Sequence, residues 1–210
     1  MNAPKIDPTI LPAIDLLTIR TAEDQLLANG AVVQQTVTNL TLTHPLIEQC
    51  YFENTILSEN DFERLELTDV IFKNCDLSNG NFEQASLYRV QFENCKLVGA
   101  TFDDGYFKDV SFKNCQLNLA NFNATKFTAV TFTDSRLSDV NCMESTLKQV
   151  QFTTCDLNNA DFTNTNLSKQ DLRTCEFKAL RVQPFDLRGC RVNELQALYF
   201  ANQFLQLRIE

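Results

Sequence analysis

The chain has no tryptophan, a single histidine (His44), and only five glycines and five prolines in 210 residues. One histidine leaves one candidate for imidazole chemistry. It sits in Thr43-His44-Pro45, where the following proline favours an extended or turn backbone, and no nucleophile motif surrounds it. The glycines at 30, 80, 99, 105 and 189 are too scattered for a G-x-G-x-x-G turn or a Walker loop. No apolar run reaches membrane-spanning length, and residues 1–12 lack the basic and apolar regions of a secretory signal. Basic charge is also short. Lys and Arg number 18 against 27 Asp and Glu, a net charge of −9, which argues against a general binder of nucleic-acid backbones. These absences point to a non-enzymatic protein without cofactor, cytoplasmic, with no membrane and no nucleic-acid partner.

What the chain does have is a period of five. Every fifth residue from Val32 to Val192 is apolar without a slip in register, and 14 of the 17 phenylalanines fall in this phase. Neither a helix, with 3.6 residues per turn, nor a strand, with two, produces that spacing. The residue two before each centre is mostly small, as in Cys75, Gly80, Ala85 and Val90, and neither phase contains an Asp, Glu, Lys or Arg between Gly30 and Val192. Burying an unpaired charge is expensive, so two charge-free phases read as the interior, with the other three facing water.

A second period of 20 overlies the first. Cys75, Cys95, Cys115, Ser135, Cys155 and Cys175 form one column, and Val70, Val90, Val110, Val130 and Val150 another. One turn of the solenoid is therefore 20 residues with four sides. Asn54, Asn74, Asn94 and Asn114 add an outward ladder suited to amide bonding between rungs. The run from Phe72 to Phe82 and its copies resembles the pentapeptide repeat family over roughly residues 32–192. The resemblance implies an all-β solenoid, a right-handed quadrilateral β-helix.

The repeat fades at both ends, where an open coil must be covered. Residues 1–30 read as a partly helical N-terminal cap: Thr21 to Asp24 resembles a capping box leading into a helix over residues 25–28, with Gly30 as its stop. Residues 31–192 form the β-helix. Residues 193–210 form a C-terminal helix capped by Asn193 and Gln196, after Pro184 and Phe185 disturb the pentad. That helix carries two apolar stripes, Leu195, Leu198, Tyr199 and Leu205 on one and Ala197, Phe200, Ala201 and Phe204 on the other. A lid needs only one, so the second implies either burial under residues 208–210 or a homodimer built on Leu195, Leu198, Tyr199, Phe200, Phe204 and Leu205. Seven of the eight cysteines occupy the small inward phase and no C-x-x-C pair occurs, which marks them as reduced filler and not as a metal site.

Charge is unevenly spread along the chain. Residues 48–110 hold 13 acids and 5 bases, against 10 and 11 over residues 111–210. The candidate acidic surface comprises Glu53, Glu59, Asp61, Glu63, Glu66, Asp69, Asp76, Glu83, Glu93, Asp103, Asp104 and Asp109, all in outward phases. At about 4.8 Å per coil the segment rises roughly 15 Å, about one net charge per 2 Å, against about 1.7 Å in duplex DNA. The uninterrupted coils, the acidic flank and the tail from Asp186 to Cys190 with its apolar helix resemble the Qnr-type quinolone-resistance branch of the family. That resemblance implies a dimeric DNA mimic that binds DNA gyrase or topoisomerase IV and protects it from fluoroquinolones. The alternative is a scaffold for some other protein partner.

Overall fold

The computed structural model describes residues 1–207. Ten strands, all parallel to their neighbours, wind as one coil: β1 (Leu26–Ala28), β2 (Ala31–Val33), β3 (Leu46–Glu48), β4 (Tyr51–Glu53), β5 (Glu66–Lys73), β6 (Ser86–Glu93), β7 (Tyr106–Lys113), β8 (Lys126–Thr133), β9 (Thr146–Lys148) and β10 (Gln151–Thr153). Every residue paired between strands faces one 20 positions away. Val70 meets Val90, Val90 meets Val110, and Phe72, Phe92, Phe112 and Phe132 follow each other rung by rung. The other two sides are joined by single bridges in the same register, such as Asp61 to Asn81 and Asp76 to Lys96. The fold is a quadrilateral β-helix.

The interior is the pair of charge-free phases. All centres from Val32 to Leu172 are buried except the half-buried Leu147. Phenylalanine stacks run along two opposite walls: Phe72 on Phe92 at 5.0 Å, Phe92 on Phe112 at 4.8 Å and Phe112 on Phe132 at 4.9 Å on one, Phe82 on Phe102 at 4.9 Å and Phe102 on Phe122 at 5.2 Å on the other. These spacings are close to the strand separation, so each rung adds one ring to the stack.

Each pentad turns its corner with a left-handed residue. From Asn29 to Asn164 every fifth residue has φ between 50° and 69°, and only Gly99 among them is a glycine. Asn and Asp dominate because their short polar side chains tolerate that conformation. The predicted amide ladder forms on one such corner: Asn74 Nδ2 donates to Asn54 Oδ1 at 3.1 Å, Asn94 to Asn74 at 3.2 Å and Asn114 to Asn94 at 2.8 Å.

The N-terminal end differs from expectation. Residues 26–28 are strand β1, paired with β3, and not a helix; the pentad begins at buried Leu27, one repeat ahead of Val32. The helical part is two short 3₁₀ segments, Leu16–Arg20 and Glu23–Gln25; the first is capped by Asp15, whose carboxylate accepts from the Leu17 N–H at 2.9 Å, and its Leu16 and Ile19 are buried on the first coil. Gly30 stops nothing. It is an inward position on which Ile14 packs so closely that a Cβ would fall 2.3 Å from Ile14 Cδ1.

At the far end the helix α1 (Glu194–Leu205) starts from the expected box: the Gln196 N–H donates to Asn193 Oδ1 at 3.0 Å and the Asn193 N–H to Gln196 Oε1 at 2.9 Å. Gln196 is also buried, and its Nε2 donates to the carbonyls of Leu172 at 2.8 Å and Cys175 at 2.9 Å. It closes two acceptors that the ending coil leaves open.

The cysteine column is held by hydrogen bonds as well as by volume. Cys95 Sγ donates toward the Phe72 and Glu93 carbonyls at 3.5 and 3.4 Å, and Ser135 and Thr55 make equivalent contacts from their hydroxyls. All eight thiols are free, and burial pushes the Cys50 thiol up to about 11.

Candidate functional site: a carboxylate-lined side of the coil

The expected acidic surface does not lie on one wall. On the side centred on Phe52, Phe72, Phe92 and Phe112, the outward column alternates Glu53, Lys73, Glu93, Lys113, and the pairs close to 3.7 Å (Lys73 Nζ to Glu53 Oε1) and 3.9 Å (Lys113 Nζ to Glu93 Oε1). Lys96 Nζ lies 3.9 Å from Asp76 Oδ2, and His44 Nε2 lies 2.6 Å from Glu66 Oε1 on the surface. Three of the twelve expected carboxylates therefore face a lysine on a neighbouring rung, and Glu66 faces His44. The period of 20 that stacks like on like in the core stacks unlike charge here.

Two more are not on the surface at all. Asp69 and Asp109 are 4% and 5% exposed, a correction to their outward assignment. Asp69 binds Arg89 through two 2.6 Å hydrogen bonds, from Nε to Oδ1 and from Nη2 to Oδ2, and accepts from the Lys5 N–H at 2.8 Å. The Arg89 guanidinium holds the Asp69 carboxyl below its ordinary range against the opposing effect of burial. At Asp109 burial works to raise the pKa, and the hydrogen bonds from Asn2 outweigh it, leaving the carboxyl lowered. Both are covered by residues 1–6, which run along the side of the coil and do not cap its end.

The remaining six, Glu59, Asp61, Glu63, Glu83, Asp103 and Asp104, fall together. They occupy the side centred on Phe62, Phe82 and Phe102 and the two corners that flank it, and all are exposed or half-exposed. Glu63, Glu83 and Asp103 stand directly above one another. The same side continues into the coils that the linear charge count scored as near-neutral, adding the exposed Asp139 and Glu144. Between residues 58 and 145 it carries eight exposed or half-exposed carboxylates and one guanidinium, Arg64, which lies 3.5 Å from Glu63. Further along, Asp161 is buried and Arg181 reaches it at 3.5 Å, so it adds no free charge to this side. Bases of the second half, including Lys113, Lys126, Lys148, Lys169 and Arg173, lie on other sides of the turn.

Neutral amides hold these acids in place without cancelling them. Asn81 Nδ2 donates to Asp61 Oδ1 at 2.8 Å, and the Asn123 N–H donates to Asp103 Oδ1 at 2.7 Å. Five rungs span about 19 Å, so seven net charges give about one per 3 Å, close to the roughly 3.4 Å of one DNA strand. Linear counting missed this because it pools all four sides; sorting charges by position within the 20-residue turn separates them.

On α1 the two expected stripes are redistributed. Tyr199 and Phe200 both face the coil: Phe200 is buried 5.7 Å from the Phe177 ring, and the Tyr199 hydroxyl accepts from the Leu180 N–H at 3.1 Å. Phe204 stacks on Phe200 at 5.9 Å and is half-buried. Leu195, Leu198 and Leu205 stay outside, 78%, 40% and 66% exposed, as one apolar face. Cover by residues 208–210 lies outside the described residues. Among the described residues no helix is long and apolar enough to cross a membrane, and no group of three or more His, Cys, Asp or Glu is placed to hold a metal ion.

The family model described as the pentapeptide repeat region matches residues 46–122, 85–162 and 125–201. Among solved structures the chain is similar to QnrB1, a plasmid-mediated fluoroquinolone resistance protein, in a trypsin-treated variant form, with 20% identity over 86% of this chain and 97% of that one and a TM-score of 0.48. It is also similar to HetL, a pentapeptide repeat protein involved in heterocyst differentiation regulation from Nostoc sp. strain PCC 7120 (14% identity, 79% and 86% covered, TM-score 0.27). A third similar structure is a pentapeptide repeat protein of the Arabidopsis thaliana thylakoid lumen (19% identity, 63% and 68% covered, TM-score 0.27). No curated protein matches the chain.

Proposed function

Because the chain belongs to the pentapeptide-repeat family, whose coil fixes architecture and leaves function to the surface it displays, we propose that the carboxylate-lined side is a DNA-like surface. It binds the DNA-gate saddle of a type II topoisomerase, DNA gyrase or topoisomerase IV. The observation that supports this is the segregation of charge: eight exposed or half-exposed carboxylates and one guanidinium on one side over residues 58–145. A groove that holds duplex DNA is lined with cations at phosphate spacing, and a rigid rod with about one charge per 3 Å meets it with matching potential. The stacked phenylalanines keep the rod straight, so little is lost in ordering it on binding.

The action is competition with DNA. Occupying the saddle lowers the number of drug-trapped cleavage complexes, and no covalent chemistry is required of the protein, which works in the cytoplasm. Fluoroquinolone resistance, which names QnrB1, is the phenotype that this reading extends to the chain. The reading also takes the protein as a homodimer through the outer face of α1, Leu195, Leu198 and Leu205, which the lid leaves bare.

A gyrase supercoiling assay with ciprofloxacin tests the proposal. Rescue of supercoiling at micromolar protein, turning to inhibition at higher concentration, is expected. No effect at tens of micromolar overturns it.

A further inference from the structure

A different part of the surface already holds a peptide. The corner inside β5, β6 and β7 carries Asp69, Arg89 and Asp109 on three successive rungs, and residues 2–5 lie across it. The Asn2 N–H donates to Asp109 Oδ1 at 2.8 Å, its Nδ2 donates to Oδ2 at 2.9 Å, and the Lys5 N–H donates to Asp69 Oδ1 at 2.8 Å. The two carboxylates are two rungs apart, about 9.6 Å, and N–H groups three residues apart on an extended chain are separated by about 10 Å. Pro4 has no N–H to satisfy, and the intervening rung offers Arg89, which accepts nothing. Spacing, donors and the missing donor all match the column beneath.

The grip is polar. Asn2, Ala3 and Lys5 are exposed, and Pro4 and Ile6 only half-buried. Hydrogen bonds to carboxylates return about as much as ordering these few residues costs, so the segment is held in balance and not locked into the core. Asp69 stays paired with Arg89 when it leaves, whereas Asp109 loses all three of its nearby donors and charges from residues 1 and 2.

We propose that this corner is a binding groove for an extended peptide, with residues 2–5 as its resident ligand in cis. A partner strand that offers two backbone N–H groups three residues apart, with an amide side chain on the first, displaces residues 2–5 and takes over Asp109 and Asp69. The groove lies away from the carboxylate-lined side, and the proposal stands or falls independently of topoisomerase binding.

The probe is a peptide of the sequence Met-Asn-Ala-Pro-Lys-Ile-Asp carrying a fluorophore at its C-terminus, followed by anisotropy against the full-length chain. A tethered segment competes at an effective concentration on the order of millimolar. The wild-type chain is therefore expected to bind the probe weakly, and full-length Asn2→Gly/Pro4→Gly, with its own segment loosened, at least tenfold more tightly. In that variant, methylating the Lys5 amide nitrogen of the probe, or adding Asp109→Asn, is expected to weaken binding at least tenfold while the melting temperature of the protein stays within a few degrees. Absence of saturable binding to the loosened variant, or binding indifferent to both the methyl group and Asp109→Asn, overturns the proposal.

Discussion

Single residues at the corners pay a recurring conformational cost, and the sequence meets it unevenly. Leu119 has φ of 62°, is 57% exposed, and lies on the carboxylate-lined side where neighbouring rungs place Gly99 and Asp139. A leucine in the left-handed region costs about 1–2 kcal/mol that asparagine largely avoids. Leu119→Asn is expected to stabilise the protein by about 0.5–1 kcal/mol, seen as a rise of roughly 1–4 °C in melting temperature; an unchanged or lower value removes the strain argument. Acid works in the opposite direction at Asp69. Its folded pKa is depressed, so its contribution is complete above the ordinary carboxylate value of 3.8 and is lost only as pH falls through the lower folded value. The Asp69–Arg89 pair therefore stays intact across the neutral range.

Elements show where local pattern and tertiary context parted. Residues 21–28 combine a capping-box motif with a short apolar run, and taken alone they are a plausible helix start. The edge of the coil at Leu46–Glu48 supplies a row of open partners, and β1 takes them because Leu27 is in phase with the core. In α1 the caps were readable, since Asn193 and Gln196 act locally. The lid face was not, because it depends on where the last coil leaves carbonyls open: buried Gln196 and the hydroxyl of Tyr199 serve it as much as Phe200 does. The same geometry decides how to probe a dimer. Phe200 belongs to the lid, so changing it disturbs the coil; Leu198→Glu/Leu205→Glu alters only the outer face. That double variant is expected to sediment as a monomer with its melting temperature within a few degrees of the parent's, against a dimer for the parent. An identical mass for both assigns the outer face no role in association.

For the whole molecule, the fivefold spacing of apolar residues made the coil legible before any coordinates, because two charge-free phases can only be an interior. Surface function was less so. A count along the chain placed the acidity in residues 48–110, yet Glu53, Glu66, Asp76 and Glu93 are paired there, and Asp69 and Asp109 lie beneath residues 1–6. Asp139 and Glu144, from the half that sums to neutral, belong to the acidic side. Which charges act together is set by their position within the 20-residue turn.

That point gives the most direct measurement. Two triple variants with the same change of net charge are compared for binding to gyrase by surface plasmon resonance: Glu59→Lys/Glu83→Lys/Asp104→Lys on the carboxylate-lined side, and Glu48→Lys/Asp134→Lys/Glu176→Lys away from it. The first is expected to lose at least a hundredfold in affinity, about 2.7 kcal/mol, and the second less than fivefold. Equal losses in the two would mean that total charge, not its arrangement on one side of the coil, carries the interaction, and would contradict the account.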